Sequence, residues 1–104
     1  TEADIAFARA VEYGPKEVQN YLQYADFLRY RYPERGLDVL NLFAQGLKKL
    51  PGNITLLKAR ASYEGDMGDY LHALADWKAV LAKEPKNDAV KQEIRDIEER
   101  LKRG

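Results

Sequence analysis

Pro51 and Pro85 stand 34 residues apart, and three further pairs keep the same offset: Asn53 with Asn87, Phe43 with Trp77, and Leu47 with Leu81. Proline cannot continue a helical ladder, and an asparagine just beyond it offers the side-chain oxygen that starts the next helix. What recurs is therefore a stop, a start and the apolar positions between them. Self-similarity at a period of about 20–50 residues marks chains that stack one supersecondary unit on the next. A single unit of that kind cannot bury its apolar face alone, so its fold is fixed by its neighbours.

Apolar periodicity predicts six helices. Residues 2–13 carry Ala3, Phe7, Ala10 and Val11 on one face, and Gly14-Pro15 ends the run. A second helix is expected from Pro15 or Lys16 to Arg31, with Tyr21, Tyr24, Ala25, Leu28 and Tyr32 on one side, before Pro33-Glu34-Arg35-Gly36 breaks it. A third, roughly 34–50, is expected to turn Leu37, Leu40, Phe43, Ala44 and Leu47 inward, with Lys48 and Lys49 complementing the dipole of its last turn. The fourth, about 54–66, presents Leu57, Ala61 and Glu64 in a stripe beside Leu56 and Tyr63. A turn through Gly65, Asp66, Gly68 and Asp69 leads to a fifth, about 70–84, that buries Ala73, Leu74, Trp77, Val80 and Leu81. Asn87 or Asp88 caps a sixth running to about Lys102, whose only apolar stripe is Val90, Ile94, Ile97 and Leu101. A helix apolar on one side alone suits the end of a stacked array. No stretch alternates with period two, so no sheet is expected.

Charge and composition narrow the function classes. Seventeen basic and seventeen acidic residues cancel, which leaves no global field for nucleic acid or an anionic membrane. Without cysteine there is no disulfide framework, thiol nucleophile or thiolate metal site. No apolar run reaches the ~18 residues of a membrane span, and no leader-like segment opens the chain. A soluble protein, cytoplasmic by default, is the expectation. A first residue other than Met implies processing or a piece of a longer protein.

Candidate chemistry is sparse. His72 falls on the outer side of the fifth helix and reads as a solvated residue, because a general base or ligand needs an orienting partner at fixed geometry. Asp66 and Asp69, with Glu64 nearby, lack the alternating oxygen ligands and closing glutamate of a calcium loop, and read as turn formers. No phosphate loop, nucleophile elbow or zinc motif is present. The run Glu98 to Arg103 mixes signs at helical spacing, as a solvated helix does. The chain is expected to be no enzyme, with no catalytic residue, metal or cofactor.

Taken together these residues resemble the tetratricopeptide repeat (TPR) superfamily. In 54–87 the resemblance rests on Gly68-Asp69-Tyr70, Ala73, Trp77 and Pro85, with Leu57 and Ala61 in the first helix; Arg60 and Glu64 depart from the family's leucine and tyrosine. The preceding unit, counted from about 18 to 53, matches through Tyr21, Tyr24, Ala25, Leu28, Phe43, Gly46 and Pro51, but is 36 residues long. Its Tyr21, Tyr24 and Phe27, followed by Leu42-Phe43, Leu47 and Pro51, also resemble the half-a-TPR (HAT) repeats of RNA-processing scaffolds.

The resemblance implies an all-α, right-handed α-α superhelix of about six antiparallel helices, part of a longer array. It would form one domain over 1–104, divided into a partial repeat (2–15), an elongated repeat (16–53), a regular repeat (54–87) and a capping helix (88–103). It implies a groove that binds a peptide or partner protein, lined by Gln19, Leu22, Asp26, Arg29 and Tyr30, then Lys58 and Ser62, with Thr55 beside them, then Gln92 and Asp96. Ser62 stands where carboxylate-clamping relatives place asparagine, and with Asp26 it argues against a carboxylate clamp. Ala3, Phe7 and Val11 form a candidate association face, open to missing repeats or a second copy. Two alternatives to peptide capture remain at this point: a self-associating scaffold using that face, or a HAT-like scaffold of an RNA-processing complex. Direct nucleic-acid or membrane binding is not expected.

Overall fold

All four prolines occupy the same point of a helix-to-helix turn. The residue before each one, Gly14, Tyr32, Leu50 or Glu84, is the C-cap of a helix, with φ between −125° and −132° and ψ between 63° and 70°. The proline ring forbids helical geometry to the residue before it, so the ladder must end there. Each cap N–H still reaches back to close the last turn, on Ala10, Leu28, Gly46 and Val80 respectively. Each cap carbonyl then accepts from the third residue on: Glu17, Arg35, Asn53 and Asn87, at 2.9–3.1 Å. One local rule therefore makes four equivalent turns.

The computed structural model describes residues 1–104 and holds six helices and no strand. They are α1 (Glu2–Tyr13), α2 (Val18–Arg31), α3 (Gly36–Lys49), α4 (Ile54–Asp66), α5 (Tyr70–Lys83) and α6 (Asp88–Arg103). Helix α2 begins at Val18 and not at Pro15 or Lys16, because Pro15 and Lys16 are consumed by the turn that Glu17 closes on Gly14. The turn from α4 to α5 is different. Gly68, at φ 82°, lets its own N–H reach the Gly65 carbonyl while the Asp69 N–H reaches Glu64 at 2.8 Å. This pair of bonds is the glycine-terminated helix end in which only a residue without Cβ is unstrained. Asp69 then caps α5 through His72 N–H.

The chain divides into two compact units, Thr1–Leu56 and Leu57–Gly104. In the first, α2 packs on both α1 and α3. Its centre is Tyr21, fully buried, whose ring lies so close to α3 that a Cβ on Gly46 would come within 3.1 Å of it and of Leu56. That close approach selects the inward face of α3. Val39, Leu42, Phe43 and Gly46 are buried; Leu40 and Leu47 flank them, while Leu37 (78% exposed) and Ala44 face solvent, contrary to the expectation for those two. At 100° per residue Leu37 and Ala44 lie on the far side of the Val39–Gly46 stripe. On α1 Val11 is buried and Phe7 half-buried, with Phe7 stacked on Tyr24 at 5.7 Å and tilted on Phe27 at 5.0 Å. Asp4 accepts from both the Tyr24 hydroxyl and Arg35, at 2.5 Å for the latter, tying α1 to α2 and to the start of α3. These two donors hold the Asp4 carboxyl below the ordinary carboxylate value.

In the second unit α5 packs on α6. The expected residues of α4 are buried: Leu57, Ala61, Tyr63 and Glu64. On α5 Ala73 and Val80 are buried with Asp76, while Leu74, Trp77 and Leu81 are only half-buried. Helix α6 sets Val90, Ile94 and Ile97 inward, while Leu101, the last residue of the expected stripe, is exposed at 36%; the Asn87 side chain caps the helix on Val90 N–H at 3.1 Å. Asn53 caps α4 in the same way, on Leu56 N–H at 3.0 Å. Glu17 and Arg35, at the equivalent point of the first two proline turns, make no such side-chain bond.

Two substitutions separate these local terms. Gly68→Ala meets no neighbouring atom, so its cost is the left-handed backbone alone, about 1 kcal/mol in urea denaturation. Gly46→Ala must displace the Tyr21 ring and should cost more, about 1–3 kcal/mol.

Candidate functional site

Three charged residues lie on apolar-stripe positions of the second unit. Arg60 and Glu64 are one turn apart on α4, and Asp76 sits on α5 between the buried Ala73 and Val80. Arg60 donates two parallel hydrogen bonds to Asp76, Nε to Oδ2 and Nη2 to Oδ1, both 2.8 Å. This fork geometry is the strongest pairing available to a carboxylate. Glu64, 6% exposed, lies against the same Asp76 carboxyl, and its Oε1 has no hydrogen-bond partner. One guanidinium cannot balance two buried carboxylates. Asp76 receives both donors and stays ionised, with Arg60 and Glu64 holding its pKa down against burial. Burial first, then Asp76, pushes Glu64 up to about 8. Its place in the last turn of α4, at the negative end of the helix dipole, acts in the same direction.

Beside this network α4, α5 and α6 enclose an open cleft of about 570 Å³. Small residues of α4, Ala61, Ser62 and Gly65, leave room for it; Trp77 and Tyr70 of α5 and Ile97 of α6 supply apolar surface. The rim is charged. Asp66, Glu93, Asp96 and Glu99 bring four carboxylates, and Arg100 and Arg103 two guanidiniums. Both arginines are engaged locally. Arg103 binds Glu99 at 2.6 Å, and Arg100 lies over the Tyr70 ring at 5.5 Å and donates to its hydroxyl at 3.2 Å. In a chain of zero net charge the cleft is thus locally acidic. Arg100 already occupies the Tyr70 ring, so Trp77 is the aromatic surface left for an incoming cation, with the rim carboxylates to fix its position.

The residues expected to line a groove are placed unevenly. Ser62 and Asp96 line this cleft. Gln92 stands next to it and donates to Asp96 at 2.7 Å. Lys58 is turned to Glu84 at 3.1 Å. On α2, Gln19, Asp26 and Tyr30 are exposed and Leu22 half-buried; Arg29 stacks over the Tyr30 ring at 5.4 Å. Of the candidate association face only Ala3 is fully exposed: Val11 is covered within its own unit and Phe7 is occupied by Tyr24 and Phe27. Ile5 and Tyr13, absent from that expectation, are the large hydrophobic residues that α1 exposes, at 55% and 81%. Arg60 and Glu64 stand out in the sequence as departures from the repeat pattern, whereas Asp76 is not among the residues expected to be buried. The signal was available, since Asp76 is three residues from Ala73 and four from Val80, the spacing of a buried face.

Comparison with protein-family models, with curated proteins and with solved structures finds no match for this chain.

Burial decides which ion pairs matter. Arg60→Ala leaves the Asp76 carboxylate, whose side chain is 10% exposed, without its counter-ion and should cost about 3 kcal/mol by chemical denaturation. Lys58→Ala breaks a pair whose side chains are 39% and 34% exposed, and should leave the midpoint unchanged, because solvent screens such pairs.

Proposed function

We propose that the chain is a non-catalytic interaction module of tetratricopeptide type, and that the cleft of its second unit takes a basic segment of a partner protein. The observation that carries this reading is the pairing of Trp77 with an excess of rim carboxylates in one open cleft. The superhelical, TPR-like arrangement is supported by the recurrence of the Pro51 and Pro85 turns, each followed by an asparagine that caps the next helix. Preformed helical scaffolds recognise by surface complementarity, so the partner follows from what the cleft offers. A lysine or arginine flanked by an apolar residue answers both the rim and Trp77.

Trp77 is the one tryptophan of the chain and reports occupancy by its fluorescence. A basic peptide with an apolar centre should quench or shift that emission saturably, while its acidic counterpart should not. Glu93→Lys with Asp96→Lys should weaken binding about tenfold and flatten its salt dependence. Binding lost instead through Arg29→Ala with Tyr30→Ala would move the site to α2, and equal binding of both peptides would refute the charge argument.

Self-association is a second reading, favoured by the exposure of Ile5 beside Ala3 on α1. Light scattering of concentrated protein should then show a dimer that Ile5→Glu dissolves; a strict monomer removes this reading.

A further inference from the structure

The buried carboxyl pair has a consequence that does not depend on what occupies the cleft. Glu64 and Asp76 share a single guanidinium, and Arg60 spends both parallel donors on Asp76. The charged groups facing Glu64 are Asp76 from α5, Arg60 on its own helix, and more weakly Asp69 from the turn. His72 bears on Asp76, and its ring is held by Asp69 at 2.8 Å. Two of the three groups facing Glu64 are acidic, and the one base is already committed. No donor reaches Glu64 Oε1. A carboxylic acid suits this position because it donates to the Asp76 carboxylate and adds no charge. A carboxylate does not, because it places a second negative charge beside Asp76 at a position that is only 6% exposed.

We propose that Glu64 and Asp76 together form a proton-binding site that controls the α4–α5 contact: protonated, the pair clasps the two helices, and deprotonated, it repels and loosens them. The loosened segment forms the wall of the cleft. Gly65 and Asp66 follow Glu64 on α4, and Trp77 follows Asp76 on α5. Trp77, next to Asp76 in the chain, is therefore placed to report loss of the proton. The pH range follows from the two states of the chain. Unfolded, Glu64 gives up its proton near its ordinary 4.5; folded, it holds it to about 8. Between these values the folded state binds the extra proton. Its stabilising effect is complete below the lower value and is lost as the pH rises through the upper one.

The test uses the whole chain labelled with ¹³C, followed by carboxyl NMR and by Trp77 emission. The Glu64 carboxyl should titrate at about pH 8, and Trp77 emission should shift with the same midpoint. In Glu64→Gln the fluorescence transition should vanish, whereas in His72→Gln it should persist. Titration of Glu64 near 4.5 would overturn the proposal, as would a transition that survives Glu64→Gln. Should Glu64→Gln fail to fold, the NMR midpoint of the unsubstituted protein still decides.

Discussion

A guanidinium that meets two carboxyl groups in a largely buried contact forces a choice, and much of the second unit follows from it. Arg60 is held by Asp76 through two parallel bonds, so its position on α4 is set relative to α5 with little freedom. Glu64, one turn further on, is left with a carboxylate for a neighbour and no donor for Oε1. Ala61, Ala73 and Val80, neighbours of these residues along α4 and α5, are fully buried. The same burial makes the excess charge expensive. Specificity and strain therefore occupy one contact, and the small residues that permit it also shape the cleft alongside.

The first unit is organised by other means. Its centre is a buried tyrosine, Tyr21, whose hydroxyl donates to the Pro15 carbonyl at 2.5 Å while its ring rests on Gly46. Aromatic stacking of Phe7 with Tyr24 and Phe27 and the Asp4–Arg35 bond hold α1 in place. Asn20 donates to the carbonyls of Ala10 and Gly14, which satisfies the end of α1. Polar atoms here meet partners; the unpartnered buried oxygen lies in the second unit.

Much of the helical layout was legible because its determinants are local. Proline placement ends helices by steric exclusion, and asparagine starts them by a bond three residues away, so α1, α4 and the limits of α5 and α6 follow from short windows. Buried faces were legible where one spacing dominates, as on α6 with Val90, Ile94 and Ile97. They were not on α3, where Leu37, Leu40, Ala44 and Leu47 offer a rival stripe. There the winner is set by Gly46 against Tyr21, a contact 25 residues apart in sequence. Ser62 and Asp96 line the cleft, but they were expected in a groove only through the family resemblance, because periodicity says no more than which side of a helix a residue is on. It does not say that Trp77 would be only half-buried, or that Asp76 would be the partner of Arg60.

Counting protons on unfolding tests the central claim most directly, since it reads the Glu64–Asp76 contact without a substitution or a ligand. Isothermal denaturation in two buffers of different ionisation enthalpy gives that count. At about pH 6.5 the folded chain holds a proton on Glu64 that the unfolded chain releases, so release of about one proton per molecule is expected. No net release would contradict a buried, protonated Glu64.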